Sequence, residues 1–285
     1  MAERSSFAAL RSRLAQRLAL DLVSLACRMP GPAPSRPLSV MGLHFPSPLG
    51  IAAGFDRDGR LARRVAALGM GFNEIGSLTA EGVARLRPAA PGEARLGINL
   101  TLDARRSAAQ SCALLRDAWA HGDYLVLNLI GPASVPLLQQ DARLRQLLAA
   151  LREQQQQLNH SGARRVPLLA KLRCLPGQIP FSLVGLLLEL GFDGLLAAHD
   201  PGPPATRQRY RDWQHEPRQA QACRQIEHLR RFCGPELALL SVGGIQTAQH
   251  LDARLNAGAQ LVQVHAALLR QGPWLARRLL QAQRG

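Results

Sequence analysis

Val166-Pro-Leu-Leu-Ala-Lys-Leu-Arg-Cys174 is an apolar run of strand length that carries one lysine near its C-terminal end. Lys171 is the only lysine in the chain; the other 34 of its 35 basic side chains are arginine. Lysine is a compact point charge that can lose its proton when buried, whereas arginine is a planar fork that stays charged. A lone lysine at a strand end therefore suggests a task that arginine cannot perform. The plain alternative is a leftover residue on a solvated edge.

The same pattern, an apolar run closing on polar or glycine residues and followed by a helix-like stretch, repeats along the chain. Strands are expected near Leu49–Phe55, Asn73–Thr79, Leu96–Leu100, Tyr124–Ile130, Leu168–Leu172, Gly194–His199, Leu239–Gly243 and Leu261–His265. Helices are expected near 57–68, 104–120, 141–159, 180–191, 217–232, 247–256 and 273–283. Eight strands alternating with helices in 285 residues predict an α/β fold, a single (β/α)8 TIM barrel. The connection over about 80–95, with Pro88 and the Pro91-Gly92 turn, leaves room for a stub of helix at most.

Ahead of the barrel, residues 5–28 read as an amphipathic helix. Leu10, Leu14, Leu18 and Leu22 repeat at i+4 with Leu25 close behind, and Arg11, Arg13 and Arg17 fall on other faces. Two uses stay open: packing on the domain's own core or rim, or lying on a membrane surface. Pro30-Gly-Pro-Ala-Pro34 ends the helix as a stiff linker. The chain thus divides into a helix and linker, 1–34, and a barrel, 35–285.

The net charge of +15 is spread along the chain, and aromatics are only 4%. No arginine cluster is interleaved with aromatics, so a nucleic-acid partner is not expected. Five cysteines, none in a C-x-x-C pair, exclude a disulfide framework and a zinc site by spacing. Reduced thiols point to the cytoplasm. No apolar run reaches the roughly 18 residues that cross a bilayer, and no signal peptide is evident. Membrane contact, if any, would be peripheral on the inner face, through residues 5–28.

In such a barrel the chemistry sits where the strands end. Those ends supply Ala53 and Gly54 from the first strand, Ser77 from the second, Asn99 from the third and Asn128 from the fourth. Lys171 ends the fifth, His199 the sixth, Gly243-Gly244 the seventh and His265 the eighth. Asparagines, a lysine and glycine turns on one rim suit a flat polar ligand with a phosphate that backbone N–H groups can approach. The histidines read as hydrogen-bonded rim residues before metal ligands, and no metal is expected. The asparagines could equally satisfy loop backbone, and the glycines could be plain turns. In Asp56-Arg57-Asp58, Asp58 is the expected helix cap.

Met41–Gly59, Gly71-Phe-Asn-Glu-Ile-Gly-Ser77, Leu96-Gly-Ile-Asn99, Val242-Gly-Gly-Ile245 and Gly258-Ala-Gln-Leu-Val-Gln-Val264 together resemble the dihydroorotate dehydrogenase family, class 2 branch, from about Pro37 to Pro273. The resemblance implies a TIM barrel that binds FMN at its C-terminal rim, oxidises a small molecule and passes electrons to a membrane quinone through an N-terminal helical extension. It places Ala53 and Gly54 along the isoalloxazine, Ser77, Asn99 and Asn128 around flavin and substrate, and Lys171 at the flavin's N1/O2 edge. Gly243 and Gly244 match the phosphate turn, with His265 beside it.

The departures are heavy. In Asn128-Leu-Ile-Gly-Pro-Ala-Ser134, Gly131 stands where the family carries its serine base, and Ala133 where it carries an asparagine. The substrate segment between about Glu81 and Leu96 is mostly missing. The sixth strand's asparagine is His199, the glycine-rich flavin loop is Asp200-Pro-Gly-Pro-Pro-Ala-Thr206, a Tyr-Ser pair is His265-Ala266, and a lysine is Arg57. Gly131 argues against a standard pyrimidine-pathway enzyme, and two further readings follow. One is an FMN oxidoreductase with an altered substrate, acting through Lys171, Asn128 and His199, with a quinone or other electron acceptor. The other is a flavin-free or non-redox relative, a binding or scaffold protein or an enzyme of other chemistry.

Overall fold

A computed structural model of the chain describes residues 2–29, 33–175, 177–200 and 206–281, with side chains in the first helix from Leu14 onward. Eight parallel strands close into a barrel: β3 (Leu49–Ile51), β4 (Phe72–Leu78), β5 (Arg95–Thr101), β6 (Tyr124–Asn128), β7 (Leu168–Arg173), β8 (Gly194–Ala198), β9 (Ala238–Val242) and β10 (Leu261–Val264). Each pairs with its neighbours in sequence, and β10 closes on β3. All eight strands foreseen from the apolar runs are present. Their near-continuous hydrophobicity follows from burial on both faces.

Side chains alternate between the lumen and the surrounding helices. Phe72, Tyr124, Val126, Leu169, Leu196, Leu240 and Leu261 form one packed cluster inside. Leu125, Leu127, Leu168, Ala170 and Leu172 belong to the outer core, under the helices. A hairpin not foreseen from the sequence, β1 (Leu38–Val40) and β2 (Leu43–Phe45), closes the floor. Its turn is Met41-Gly42, at φ of 56° and 74°, the left-handed pair that a two-residue hairpin requires. Phe45, wholly buried, packs edge-on against Phe72 with centroids 5.8 Å apart.

The helices are α1 (Ala2–Ala26), α2 (Ala80–Ala84), α3 (Ala108–Trp119), α4 (Asp141–Ser161), α5 (Phe181–Glu189), α6 (Arg207–Asp212), α7 (Glu216–Cys233), α8 (Ala248–Asn256), α9 (Ala266–Gln271) and α10 (Leu275–Gln281). The short connection after β4 holds only the five-residue α2, as its length dictates. The helix expected at 57–68 is instead a 3-10 segment, Ala62–Leu68. Asp56, not Asp58, sets its start. The buried Asp56 carboxylate accepts the backbone N–H groups of Arg60 and Leu61 at 2.7 and 2.9 Å and Nδ2 of Asn73 at 2.7 Å.

α1 packs Val23, Ala26 and Cys27 into the same core as Phe55 and Leu268. Its other face shows Leu14, Leu18, Leu22 and Leu25 to solvent, each 52–63% exposed. The leucine stripe is therefore not the face that docks on the barrel. Among the described residues no helix is long and apolar enough to cross a membrane. Leu10, Arg11 and Arg13 of the expected stripe lie outside the described side chains. Pro30–Pro32 of the linker and Pro201–Ala205 of the loop after β8 lie outside the described residues.

Candidate functional site

Above the apolar floor the lumen turns polar. By strand alternation Glu74, Asn99, Asn128, Lys171 and Gln263 all point inward from β4, β5, β6, β7 and β10. All but Lys171 join, through Ser77, in one chain of hydrogen bonds. Asn128 Nδ2 donates to Ser77 Oγ at 2.7 Å, and Ser77 Oγ donates to Asn99 Oδ1. Asn99 Nδ2 donates to Glu74 Oε1 at 2.8 Å, and Gln263 Nε2 donates to Glu74 Oε2 at 2.5 Å. The Oδ1 of Asn128 accepts Ile130 N–H at 3.1 Å, which fixes that side chain's orientation. The network runs from an exposed hydroxyl, Ser77, down to a wholly buried carboxylate.

Lys171 completes this tier. It is 8% exposed, and among the described residues its ammonium makes no hydrogen bond or ion pair. Burial pushes its pKa down, and attraction to Glu74 opposes that shift. Burial pushes the Glu74 carboxyl up, opposed by Lys171 and by the donors Gln263 and Asn99. Each charge is thus tolerable in the lumen mainly because the other is present. Lys171 retains unused donors at the mouth, where a ligand with an electron-rich edge would meet them.

The first and eighth strands frame the other side of the mouth. Gly54, at φ 99°, donates its N–H to the Gly76 carbonyl at 2.7 Å. His265 stands so close that a Cβ on Gly54 would lie 3.8 Å from its Nε2. Burial drops the His265 pKa to about 4, against hydrogen bonding to Gly54, with Lys171 and Arg57 lowering it further. Gln16 of α1 donates to the Gly54 carbonyl, so the N-terminal helix reaches the rim, and Asp21 pairs with Arg60 at 2.5 Å.

Gly243 and Gly244 turn at φ of 114° and 83°. A Cβ on Gly243 would meet Asp200 N at 2.9 Å, and one on Gly244 would meet the Trp213 ring at 2.1 Å. Only glycine fits either position. Gly131 differs: its φ and ψ, −70° and 152°, suit any residue, and a Cβ there would find nothing nearer than 3.9 Å.

Of the sequence-derived residues, the structure gathers Lys171, Asn128, Asn99, Ser77, Gly54 and His265 around one mouth, with half-buried Ala53 beside Gly54. His199 is not among them. In β8 Leu196 faces the lumen, so His199 faces outward, toward α7. Its Nδ1 meets Gln225 Oε1 at 2.7 Å and its Nε2 meets Ser241 Oγ at 3.1 Å. With both ring nitrogens engaged and burial dropping its pKa to about 3, it is a neutral structural residue in this geometry. Glu74 and Gln263 went unread in the sequence. The available signal was a charge inside an otherwise apolar strand, Phe72-Asn-Glu-Ile-Gly76, which a doubly covered sheet tolerates only in its lumen.

No family model matches the chain. A dihydroorotate dehydrogenase (quinone) from Thiobacillus denitrificans is 30% identical over 313 residues, covering 94% of this chain and 91% of that protein. The chain belongs to the dihydroorotate dehydrogenase family. The enzyme of the same name from Cellvibrio japonicus is 29% identical over 316 residues, covering 93% and 92%. The fold is shared with the crystal structure of ligand-free dihydroorotate dehydrogenase from Eimeria tenella, at a TM-score of 0.75 and 20% identity over 94% of this chain and 92% of that one. This chain is a divergent member of the dihydroorotate dehydrogenase family, with Gly131 in the loop after β6.

Proposed function

We propose that the protein is an FMN-dependent oxidoreductase acting on a CH–CH donor other than dihydroorotate. The observation that carries this reading is the uncommitted ammonium of Lys171, buried at the mouth of the lumen with Glu74 in the same tier. The residues present fit the cofactor. Lys171 would face the flavin's pyrimidine edge, Ser77, Asn99 and Asn128 its polar rim, Ala53 and Gly54 its face, and Gly243-Gly244 its phosphate. Bound flavin would supply a two-electron acceptor. Lys171 would then stabilise negative charge on that edge from a fixed position, without reorganising solvent.

The altered substrate rests on Gly131. A serine base there would contribute about 10²–10⁴-fold, and the loop's one hydroxyl does not replace it: Ser134 is buried, with its Oγ held between the Leu102 and Asn128 carbonyls at 2.8 and 2.7 Å. The exposed leucine face of α1 supports a peripheral membrane contact and, as in the quinone enzymes it resembles, a quinone acceptor. A second reading, a flavin-free relative, is favoured by Gln16, whose side chain already caps the Gly54 carbonyl. Dihydroorotate oxidation separates substrate change from loss of redox function. Wild type should show none above background, and Gly131→Ser, for which space and backbone are ready, should raise it by about 10²-fold. Turnover of dihydroorotate by wild type would refute the altered substrate.

A further inference from the structure

Arg254 on α8 is the largest fully buried side chain, and among the described residues no carboxylate pairs with it. Its Nη1 donates to Ser241 Oγ at 3.3 Å and its Nη2 to Gln219 Oε1 at 3.0 Å. Among the described residues its Nε has no partner, and neither does Nε1 of the buried Trp213, whose ring lies 5.8 Å from the guanidinium. A buried cation without a counter-ion is costly and persists when something compensates it.

The network leads to the glycine turn. Gln219 holds the Arg254 fork with its oxygen, and its Nε2 donates to the carbonyls of Gly244 and Trp213, both at 2.7 Å. His250, half-buried, is 3.2 Å from the same nitrogen and also bonds the Gly244 backbone. A carbonyl that accepts such a bond polarises its own peptide unit, which strengthens the N–H on the far side, here that of Ile245. Positive charge is thus linked, through one side chain, to a half-buried turn whose two residues must be glycine.

We infer that Arg254 is a positioning residue for a phosphate monoester: its uncompensated charge, relayed through Gln219, makes the Gly243-Gly244 turn an anion site. Resting on the flavin reading, this assigns the ligand's phosphate its counter-charge from behind the turn, without direct contact. Burial lowers the Arg254 pKa to about 10, which leaves it charged at neutral pH.

The test compares FMN with riboflavin, which lacks the phosphate, by fluorescence titration of the full chain. Wild type should prefer FMN, and Arg254→Met should lose at least tenfold of that preference. Arg254→Lys, which keeps the charge, should retain most of it. Cys223→Asp guards against a misfolded variant. Cys223 lies on α7 one turn from Gln219, and burial keeps its thiol protonated; a carboxylate there should offset the guanidinium's charge without touching the turn. This variant should fold as well as wild type and still lose the preference. An unchanged FMN-to-riboflavin ratio in both Arg254→Met and Cys223→Asp would overturn the inference, and so would equal binding of the two flavins by wild type, which leaves the flavin reading intact. If wild type binds neither flavin, a rise in its thermal midpoint with inorganic phosphate, absent in Cys223→Asp, supports the anion site and sinks the flavin reading. No rise overturns both.

Discussion

Lys171 was legible from composition, because one ammonium among 34 arginines marks a place where a point charge is required. Lys171→Arg tests that need. The fork keeps the charge but brings a planar group into a lumen already filled by Glu74, Asn99 and Gln263. FMN affinity should fall by more than about tenfold, or roughly 1.4 kcal/mol, with folding preserved by circular dichroism; unchanged flavin content would remove Lys171 from the site. His199 gives a second residue-scale test. Its folded pKa, about 3, lies below the ordinary value of 6.5. Its neutral form is therefore the one that folding favours. Stability is complete above pH 6.5 and is lost as pH falls from there toward 3, by about 1.4 kcal/mol per unit. Denaturant titrations at several pH values should give His199→Asn a slope smaller by one proton; an identical slope would show that His199 is protonated in the fold. Arg254 was illegible for the reason Lys171 was not: one buried arginine among 34 looks like all the others.

At the scale of elements, the strands, three to seven residues long, were readable because apolar runs survive any choice of fold that buries both faces. The floor hairpin was missed because β1 and β2 have three residues each, too few to show alternation. The side of α1 that docks was not legible either. Its small residues Ala26 and Cys27 bury with Val23, while the larger leucines at i+4 stay outside. Leu18 and Leu22, 63% and 57% exposed, stay outside the protein's own core, and the proposed membrane contact falls on them. Leu18→Asp with Leu22→Asp should leave folding stability within about 0.5 kcal/mol and abolish co-sedimentation with anionic vesicles. Val23→Asp, at a wholly buried position, should cost on the order of 3 kcal/mol. Retained vesicle binding by the double variant would remove α1 as the membrane element.

The whole molecule joins an eight-stranded barrel to a polar rim. In its tier Glu74, Asn99, Asn128 and Gln263 are linked by hydrogen bonds and Lys171 keeps its donors unused, while the loop at Gly131 leaves open space. That division explains which parts of the site were readable. Residues that the barrel itself orients, on strands, can be placed by alternation; His199 was misplaced because one position past β8 reverses the face it presents. The measurement that bears most directly on the central claim is the flavin content of the purified protein, read as a visible spectrum and as FMN released on denaturation. A retained flavin treats Lys171 and the glycine turn as parts of one working site. The expected result is one FMN per chain, or stoichiometric uptake on reconstitution. A colourless protein that takes up no FMN when it is supplied in excess would contradict the claim.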